Sequence, residues 1–179
     1  MLTTQKMKNT PTLYIFSGLP ASGKTTLAEK LVSLTEATYL RIDTIEQGLR
    51  DLCFVNVQGE GYRLSYRLAQ DNLKLGCSVI ADSCNPISLT RKEWQEVAES
   101  SCANFINIEI ICSDTAIHKQ RVEARKASVP NLKLPSWQDV LSREYHEWDQ
   151  PCIVIDTANR EVEDCFQELI RKLNSENNG

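Results

Sequence analysis

An eight-residue segment near the start of the chain combines two glycines with a lysine and a threonine. It matches the pattern G-x-x-x-x-G-K-[ST] at every fixed position. In such a loop the glycines let the backbone turn tightly, so that successive N–H groups point at a bound anion. The lysine reaches the terminal phosphates of ATP, and the threonine hydroxyl contacts Mg²⁺. We expect these residues to bind the nucleotide: Gly18, Leu19, Pro20, Ala21, Ser22, Gly23, Lys24, Thr25 and Thr26.

The residues on either side of this loop favour the same interpretation. The apolar run Thr12–Ser17 precedes the loop and predicts a buried strand. Leu27, Leu31 and Leu34 follow it at helical spacing. A helix that begins near Lys24 would direct its positive N-terminal end at the phosphates. The alternative is a flexible turn that happens to contain glycine.

Two carboxylates follow short apolar runs, where the carboxyl end of a strand faces a ligand crevice. Asp43 follows the second run and could accept a proton from an attacking hydroxyl. Alternatively, it caps a helix that begins at Thr44. Asp82 follows the third run, where a carboxylate would order Mg²⁺ together with Thr25. Alternatively, it is a turn residue before Asn85-Pro86.

Two arginines four residues apart, Arg121 and Arg125, lie in a stretch that we predict to be helical from Ser113 to Ala127. At this spacing both side chains project from one face of the helix. Two guanidinium groups on one face can clamp a transferring phosphoryl group and stabilise its developing charge. The alternative is a solvated helix surface on which the arginines pair with glutamates such as Glu123.

The chain as a whole alternates between apolar runs and amphipathic segments. The runs are rich in β-branched residues and mostly continuous, which is typical of strands buried on both faces. They are Thr12–Ser17, Tyr39–Ile42, Ser78–Ala81, Phe105–Cys112 and Cys152–Ile155. Strand and helix in alternation predict an α/β fold, in which helices cover both faces of a parallel sheet. Ligands bind such folds at the carboxyl ends of the strands.

Three segments carry specific helix signals. Apolar residues recur at helical spacing from Tyr62 to Leu73, and Gly76 is placed to end that helix. The segment Thr90–Glu93 predicts a capping box at the start of the next helix. A one-sided apolar stripe from Val162 to Leu173 predicts the last helix.

A helix–loop–helix is predicted between the fourth and fifth strands, at about residues 113–150, because prolines interrupt the helix and Ser136 caps a new one. It could be a mobile lid over ATP. Alternatively, it is a fixed excursion, since several of its residues have the character of core residues: Trp137, Val140, Leu141, Tyr145 and Trp148. We expect one domain over residues 12–173, with flexible ends at 1–11 and 174–179.

Composition excludes several classes of protein. The net charge of −4 provides no general attraction to nucleic acid or anionic membranes. No apolar run approaches the ~20 residues that span a membrane. Seven cysteines without a CxxC pair are typical of reduced, buried thiols rather than disulfides or a zinc site. We expect a cytoplasmic monomer or homodimer that acts on a small molecule, with no membrane or nucleic-acid partner.

The chemistry-bearing residues occur in the order of a known group. With its P-loop, an Arg41-x-Asp43 segment, Asp82 and a two-arginine helix, the chain resembles the adenylate-kinase-like group of P-loop phosphotransferases. It is similar to polynucleotide 5′-kinases, gluconate kinases, chloramphenicol phosphotransferases, adenylylsulfate kinases and zeta toxins. The strongest resemblance is to bacterial proteins described as predicted kinases or AAA-family ATPases. It spans nearly the whole chain, including Arg41–Glu46, Asp82–Pro86, Cys112–Asp114 and Leu134–Trp137.

The resemblance implies a three-layer P-loop fold with a five-stranded parallel sheet in the order 2-3-1-4-5 and a helical lid. In that order the third strand lies beside the first, so Asp82 would lie near the phosphates and Asp43 farther out, beside the acceptor. The implied roles are as follows: Asp43 as base, Thr25 and Asp82 for Mg²⁺, Lys24, Arg121 and Arg125 for catalysis, and Arg160 near the adenine.

These features together predict an ATP-dependent kinase that transfers the γ-phosphate to a hydroxyl of a small molecule. A GTPase would carry Asn-Lys-x-Asp and Asp-x-x-Gly, and neither occurs. An AAA+ motor would carry a second acidic residue after Asp82, where Ser83 stands. The alternatives are an ATP-binding or ATP-hydrolysing regulator, or a kinase acting on adenylylsulfate or a nucleic-acid 5′ end. Against adenylylsulfate, the chain lacks the Asp-Gly-Asp segment typical of those kinases.

The acceptor is not identified by any motif. Cationic and aromatic residues from the predicted second to fourth helices would suit an anionic or sugar-like molecule. They are Arg41, Tyr62, Tyr66, Arg67 and Arg91.

Overall fold

The computed structural model describes residues 10–176. The predicted flexible ends fall outside this range at residues 1–9 and 177–179. Along the described residues the elements are β1 (Thr12–Ser17), α1 (Lys24–Thr35), β2 (Thr38–Arg41), α2 (Ile42–Cys53), α3 (Glu60–Lys74), β3 (Val79–Asp82), α4 (Ser88–Ser100), β4 (Asn104–Ile111), α5 (Thr115–Ala124), α6 (Trp137–Leu141), β5 (Ile153–Asp156) and α7 (Val162–Glu176).

The five strands form one parallel sheet in the order β2-β3-β1-β4-β5, which confirms the predicted order. The register places Asp82 beside Phe16 on one side and beside Arg41 on the other. The carboxyl ends of β1, β2 and β3 therefore meet at one edge of the sheet. This edge carries Asp82, the start of the phosphate loop after Ser17, and the segment that leads to Asp43.

Each face of the sheet has its own core, because alternate residues of a strand point to opposite faces. On one face Phe16 packs in a cluster with Leu27 of α1 and Leu169 of α7. On the other face Ile15 packs in a cluster with Trp94 of α4. The molecule is thus a sandwich of three layers. Because both faces of the sheet are buried, the strand sequences are continuous apolar runs.

Most element boundaries agree with the sequence predictions. β1 has the predicted bounds, and the other four strands begin and end within one residue of theirs. α3 ends at Lys74, and Gly76 adopts the left-handed φ of 83° expected just after a helix. α7 continues to Glu176, so residues 174–176, predicted as flexible, are helical.

Two helix predictions were wrong in detail. α4 begins at Ser88, so Thr90 lies inside the first turn, where its Oγ1 donates to the Ile87 carbonyl at 3.0 Å instead of capping. α5 ends at Ala124, and Arg125 is already extended, with φ −68° and ψ 148°. Arg121 and Arg125 therefore do not project from one continuous helix.

The 113–150 segment is fastened to the body of the molecule at its end by Arg91. This buried arginine donates to the carbonyls of His146 at 2.8 Å and Glu147 at 3.1 Å, and its guanidinium lies 4.1 Å from the centre of the Trp148 ring. Within the segment, Ser136 and Asp139 form a capping box at the start of α6, as expected for a cap at Ser136.

Exposure corrects two further expectations. Leu141, predicted to face the core, is 57% exposed, whereas its neighbour Val140 is buried. All seven cysteines are free, but Cys53, Cys77 and Cys102 are exposed, so burial of the thiols was predicted too broadly. Between residues 10 and 176, no helix is long and apolar enough to cross a membrane.

Candidate active site

The phosphate loop connects β1 to α1 and requires its glycines. Gly18 and Gly23 have φ values of 137° and 103°, in a region that side chains rarely adopt. A Cβ on Gly18 would lie 2.1 Å from the carbonyl oxygen of Ile110 on β4, which no packing adjustment of a side chain can relieve. The loop thus passes against the backbone of β4 and leads into the N-terminus of α1, where free N–H groups favour an anion.

Lys24, the first residue of α1, extends back across the loop. Its Nζ donates to the Leu19 carbonyl at 2.9 Å, so the ammonium group lies against the loop. Ser22 inside the loop is buried, and its hydroxyl oxygen has no hydrogen-bond partner among the described residues. A buried polar group without a partner is costly, and a bound phosphate would provide one.

Asp82 lies directly beside the loop and is only 4% exposed, so it is not a solvated turn residue. Its Oδ2 accepts hydrogen bonds from Thr25 Oγ1 and from Tyr39 Oη, both at 2.7 Å. Burial and the adjacent Asp82 carboxylate raise the pKa of Tyr39, which keeps its hydroxyl protonated as a donor. Sequence reasoning missed Tyr39, because its contact with Asp82 spans 43 residues of chain.

Asp43 lines the same cleft. It occupies the first turn of α2, whose N-cap position belongs to Arg41 and has no side-chain cap, so the capping alternative was wrong. Its carboxylate is exposed, and no hydrogen bond or ion pair within the described residues engages it. An unengaged carboxylate at this place can accept a proton.

Arg125 also lines the cleft, and it interacts with both ends of the Arg41–Asp43 segment. Burial lowers the pKa of Arg125, the Asp43 carboxylate raises it, and the Arg41 guanidinium lowers it again. Because arginine stays charged in proteins, the outer part of the cleft holds two guanidinium groups close to one carboxylate.

Arg121 connects the 113–150 segment to the phosphate loop. It donates to Thr157 Oγ1 at 2.8 Å and to the Thr157 carbonyl at 2.9 Å. Thr157 Oγ1 in turn lies 2.8 Å from the Ser22 carbonyl, and Thr157 is the nearest neighbour of Gly23 across the cleft. Arg121 is therefore fixed beside the loop, whereas Arg125 is the guanidinium nearer Asp43.

Arg160 borders the cleft just after β5, in the region predicted to lie near the adenine. Its Nη1 donates to Glu168 Oε2 at 2.7 Å and to the Asp156 carbonyl at 3.0 Å. The Glu168 carboxylate raises the pKa of Arg160. The guanidinium thus forms part of a rim built by β5 and α7.

Sequence reasoning also missed His118. It is buried, its Nε2 donates to the Pro20 carbonyl at 2.8 Å, and its ring packs edge-on against Trp137 at 5.4 Å between centres. His118 joins α5 and α6 to the phosphate loop. The signal was its spacing of four residues from Val122, which is buried on the same helix.

A cleft of about 1100 Å³ brings the site residues together. It is lined by Lys24, Thr25, Thr26, Arg41, Asp43, Asp82, Arg121, Arg125 and Arg160, among others. Of the predicted acceptor residues, only Arg41 lines it. Tyr62 instead accepts a hydrogen bond from the Asn85 N–H, and Tyr66 donates one to the Glu93 carboxylate. Arg67 is exposed outside the cleft, and Arg91 donates its hydrogen bonds to backbone carbonyls.

This geometry agrees with the comparison to known families. Residues 13–143, well over half of the chain, match the family described as AAA domain, and the chain belongs to that family. The fold and the phosphate loop place it among proteins with the P-loop kinase fold, as the resemblance implied. A gluconokinase from Sinorhizobium meliloti shares this fold with a TM-score of 0.66 at 13% identity, over 93% of this chain and 94% of that one. A sugar kinase from Janibacter shares it with a TM-score of 0.67 at 17% identity, over 93% of this chain and 95% of that one.

Two relatives match most of this chain. Protein KTI12 of Saccharomyces cerevisiae is 27% identical over 181 residues, which cover 89% of this chain but 56% of KTI12. An adenylyl-sulfate kinase of Prochlorococcus marinus is 29% identical over 170 residues, which cover 88% of this chain and 81% of the kinase. The chain thus spans little more than half the length of KTI12.

A solved structure extends the likeness to a nucleotide complex. Kti12 of Chaetomium thermophilum, in complex with ADP-AlF₃, has a TM-score of 0.68 at 19% identity, over 90% of this chain and 97% of that one. That protein, with the same fold, thus binds an adenine nucleotide.

Proposed function

We propose that this protein is a kinase that transfers the γ-phosphate of ATP to a hydroxyl of a small molecule. The observation that carries the proposal is the layout of one cleft. The cleft is lined by residues of the phosphate loop, by the Thr25–Asp82 pair, and by the Asp43 carboxylate, which makes no hydrogen bond within the described residues and lies near Arg125. A carboxylate beside the phosphate site can accept the proton of an attacking hydroxyl, which a transferase requires.

Mg²⁺ fits the residues beside the phosphate loop. Thr25 Oγ1 and Asp82 Oδ2 are hard oxygen donors 2.7 Å apart, and Mg²⁺ in kinase sites takes one or two protein ligands together with waters and phosphates. Residues 10–176 contain no group of three or more His, Cys, Asp or Glu that could hold a metal, and a Mg²⁺ site with only one or two protein ligands does not need one. When bound, Mg²⁺ neutralises phosphate charge.

The chain's own residues supply the remaining steps. The loop amides and Lys24 hold the phosphates in place. Asp43 accepts the proton of the acceptor hydroxyl while the hydroxyl oxygen bonds to the γ-phosphorus. At the same time the bond from the γ-phosphorus to the β–γ bridging oxygen breaks. Arg121 and Arg125 stabilise the charge on the transferring group. The products are ADP and a phosphorylated acceptor.

The similarity to KTI12, whose name specifies no reaction, favours a second candidate. This is a protein that binds or hydrolyses ATP without a small-molecule acceptor. The similarity to an adenylyl-sulfate kinase makes adenylylsulfate one acceptor to test, in spite of the missing Asp-Gly-Asp segment. A nucleic-acid 5′ end is another acceptor to test, because the net charge of −4 describes the whole chain and not the cleft.

A screen of ADP release separates these candidates. Sugars, sugar acids, nucleosides, antibiotics and adenylylsulfate are each added to protein and ATP, with and without Mg²⁺. A kinase releases ADP in proportion to one acceptor and only with Mg²⁺. If ADP release is the same with every compound and with none, the protein is a hydrolase and the proposal fails.

A further inference from the structure

Cations line the cleft in excess of what binding of ATP requires. Nine lysines and arginines border it against four aspartates and glutamates, although the whole chain has more acidic than basic residues. Three of these cations, Lys24, Arg121 and Arg160, are predicted to contact ATP. The other six, which we call the acceptor-side cations, come from segments that also carry the lining residues Asp43 and Glu46 or that follow α5: Arg41, Arg50, Arg125, Lys126, Lys133 and Arg143.

Pairing within the protein does not remove this excess. Arg50 forms an ion pair with Glu46 at 3.1 Å, so that pair is neutral. Among the described residues, no ion pair engages Arg41, Arg125 or the remaining three cations. The lining cations thus outnumber the lining carboxylates, even with Asp82 beside Arg41 in the register of the sheet. A ligand in this part of the cleft experiences a positive potential, which attracts anions.

Of the two cations in this group whose Nε is buried without a partner among the described residues, Arg41 and Arg125, the proposed reaction gives no role to Arg41. Its Nε is buried without a hydrogen-bond partner among residues 10–176, although burial of an unpaired charged donor is costly. The side chain does not cap α2 and makes no structural hydrogen bond there. Because it lies two residues before Asp43 and interacts with Arg125, a group bound to Arg41 is next to the proposed base.

We propose that the acceptor is a small anionic molecule, whose carboxylate, phosphate or sulfate group binds Arg41 while its hydroxyl faces Asp43. This inference rests on the proposed kinase function. The planar guanidinium binds such groups through two parallel hydrogen bonds. Binding of the anion away from the reacting hydroxyl would orient the acceptor for transfer.

The anion site is tested without turnover, using sulfate as the probe. The protein is saturated with Mg²⁺ and a non-hydrolysable ATP analogue, so that the phosphate loop is filled, and sulfate is titrated by calorimetry. Wild type should bind sulfate, Arg41→Gln should bind it about tenfold or more weakly, and Arg41→Lys should lie between them. The control Arg67→Gln, at an exposed position outside the cleft, should match wild type. Equal binding by wild type and Arg41→Gln, or none by wild type, would overturn the inference.

Turnover then tests the acceptor class with matched pairs that differ by one anionic group: gluconate and glucose, a sugar phosphate and its sugar, adenylylsulfate and adenosine. The anionic member should be preferred, and Arg41→Gln should raise its KM at least about tenfold without changing the KM of ATP. Transfer to neutral compounds with no preference would sustain the kinase function and refute the anionic acceptor. Preference for a 5′-hydroxyl oligonucleotide would refute a small molecule. Sulfate binding with no transfer to any compound would refute the kinase function while leaving an anion site at Arg41.

Discussion

Replacement of Asp43 by asparagine separates proton transfer from ATP binding. The substitution keeps the size and shape of the side chain but removes its ability to accept a proton. Asp43 lies in the first turn of α2, outside the phosphate loop, and makes no hydrogen bond within the described residues. We therefore expect the fold and the affinity for ATP to remain, because no contact of the loop is lost.

The expected loss of turnover follows from the role of a general base. A positioned base contributes about 10²–10⁴-fold to rate, which corresponds to about 3–5 kcal/mol of transition-state stabilisation. The kcat for acceptor-dependent ADP release should fall by that factor, with the dissociation constant of the ATP analogue changed by less than about twofold.

The assay compares Asp43→Asn with Asp71→Asn, an exposed aspartate on α3 outside the cleft. ADP release is measured in a coupled assay, and ATP-analogue binding by calorimetry. Asp71→Asn should behave as wild type in both. A wild-type kcat for Asp43→Asn would refute its role as base, and weakened nucleotide binding would show that Asp43 belongs to the nucleotide site.

Three further substitutions test the nucleotide end of the cleft. Lys24→Ala should nearly abolish turnover, and an unchanged rate would exclude the phosphate-loop assignment. Tyr39→Phe removes one of two donors to Asp82 Oδ2. The Mg²⁺ concentration for half-maximal activity should therefore change several-fold, while kcat at saturating Mg²⁺ stays the same. An unchanged Mg²⁺ dependence would show that Tyr39 has no part in the Mg²⁺ site. Gly18→Ala should destabilise the fold by about 2 kcal/mol or more in urea unfolding, whereas Gly48→Ala, in open space on α2, should stabilise it by about 0.5–1 kcal/mol. The same sign for both would contradict the packing described at Gly18.

The part of the site that could be predicted from sequence is the part built from neighbouring residues. The phosphate loop is contiguous, and its glycine positions follow from the backbone alone. Asp43 and Asp82 follow apolar runs directly, so their place at the carboxyl ends of strands could be predicted as well. The order of the strands came from the resemblance, because an alternating pattern does not specify which strands pair.

The residues that were missed or misplaced depend on distant contacts. Tyr39 and His118 reach partners 43 and 98 residues away, which no local pattern reveals. Arg91 was assigned to the acceptor pocket as a cation on a helix. Its burial comes from the chain near residue 146, 55 residues further on. Arg125 was predicted to lie on the same helix as Arg121. That helix ends one residue earlier, because the backbone of Arg125 is extended.

The acceptor side of the cleft illustrates the same limit. Its cations come from the end of β2, from α2, and from the residues that follow α5 and α6, and only the fold places them around one volume. In the sequence they are dispersed among a larger number of acidic residues. The positive potential is thus a property of the folded cleft and not of the composition.

The central claim, that phosphate passes from ATP to a small molecule, is tested most directly by following the γ-phosphate itself. ATP labelled in the γ-position is incubated with Mg²⁺, the protein and the best acceptor from the screen, and the products are separated and identified by mass spectrometry. The label should appear on the acceptor, with one labelled molecule for each ADP, and Lys24→Ala should yield none. Recovery of all the label as inorganic phosphate, at a rate independent of the acceptor, would contradict the claim.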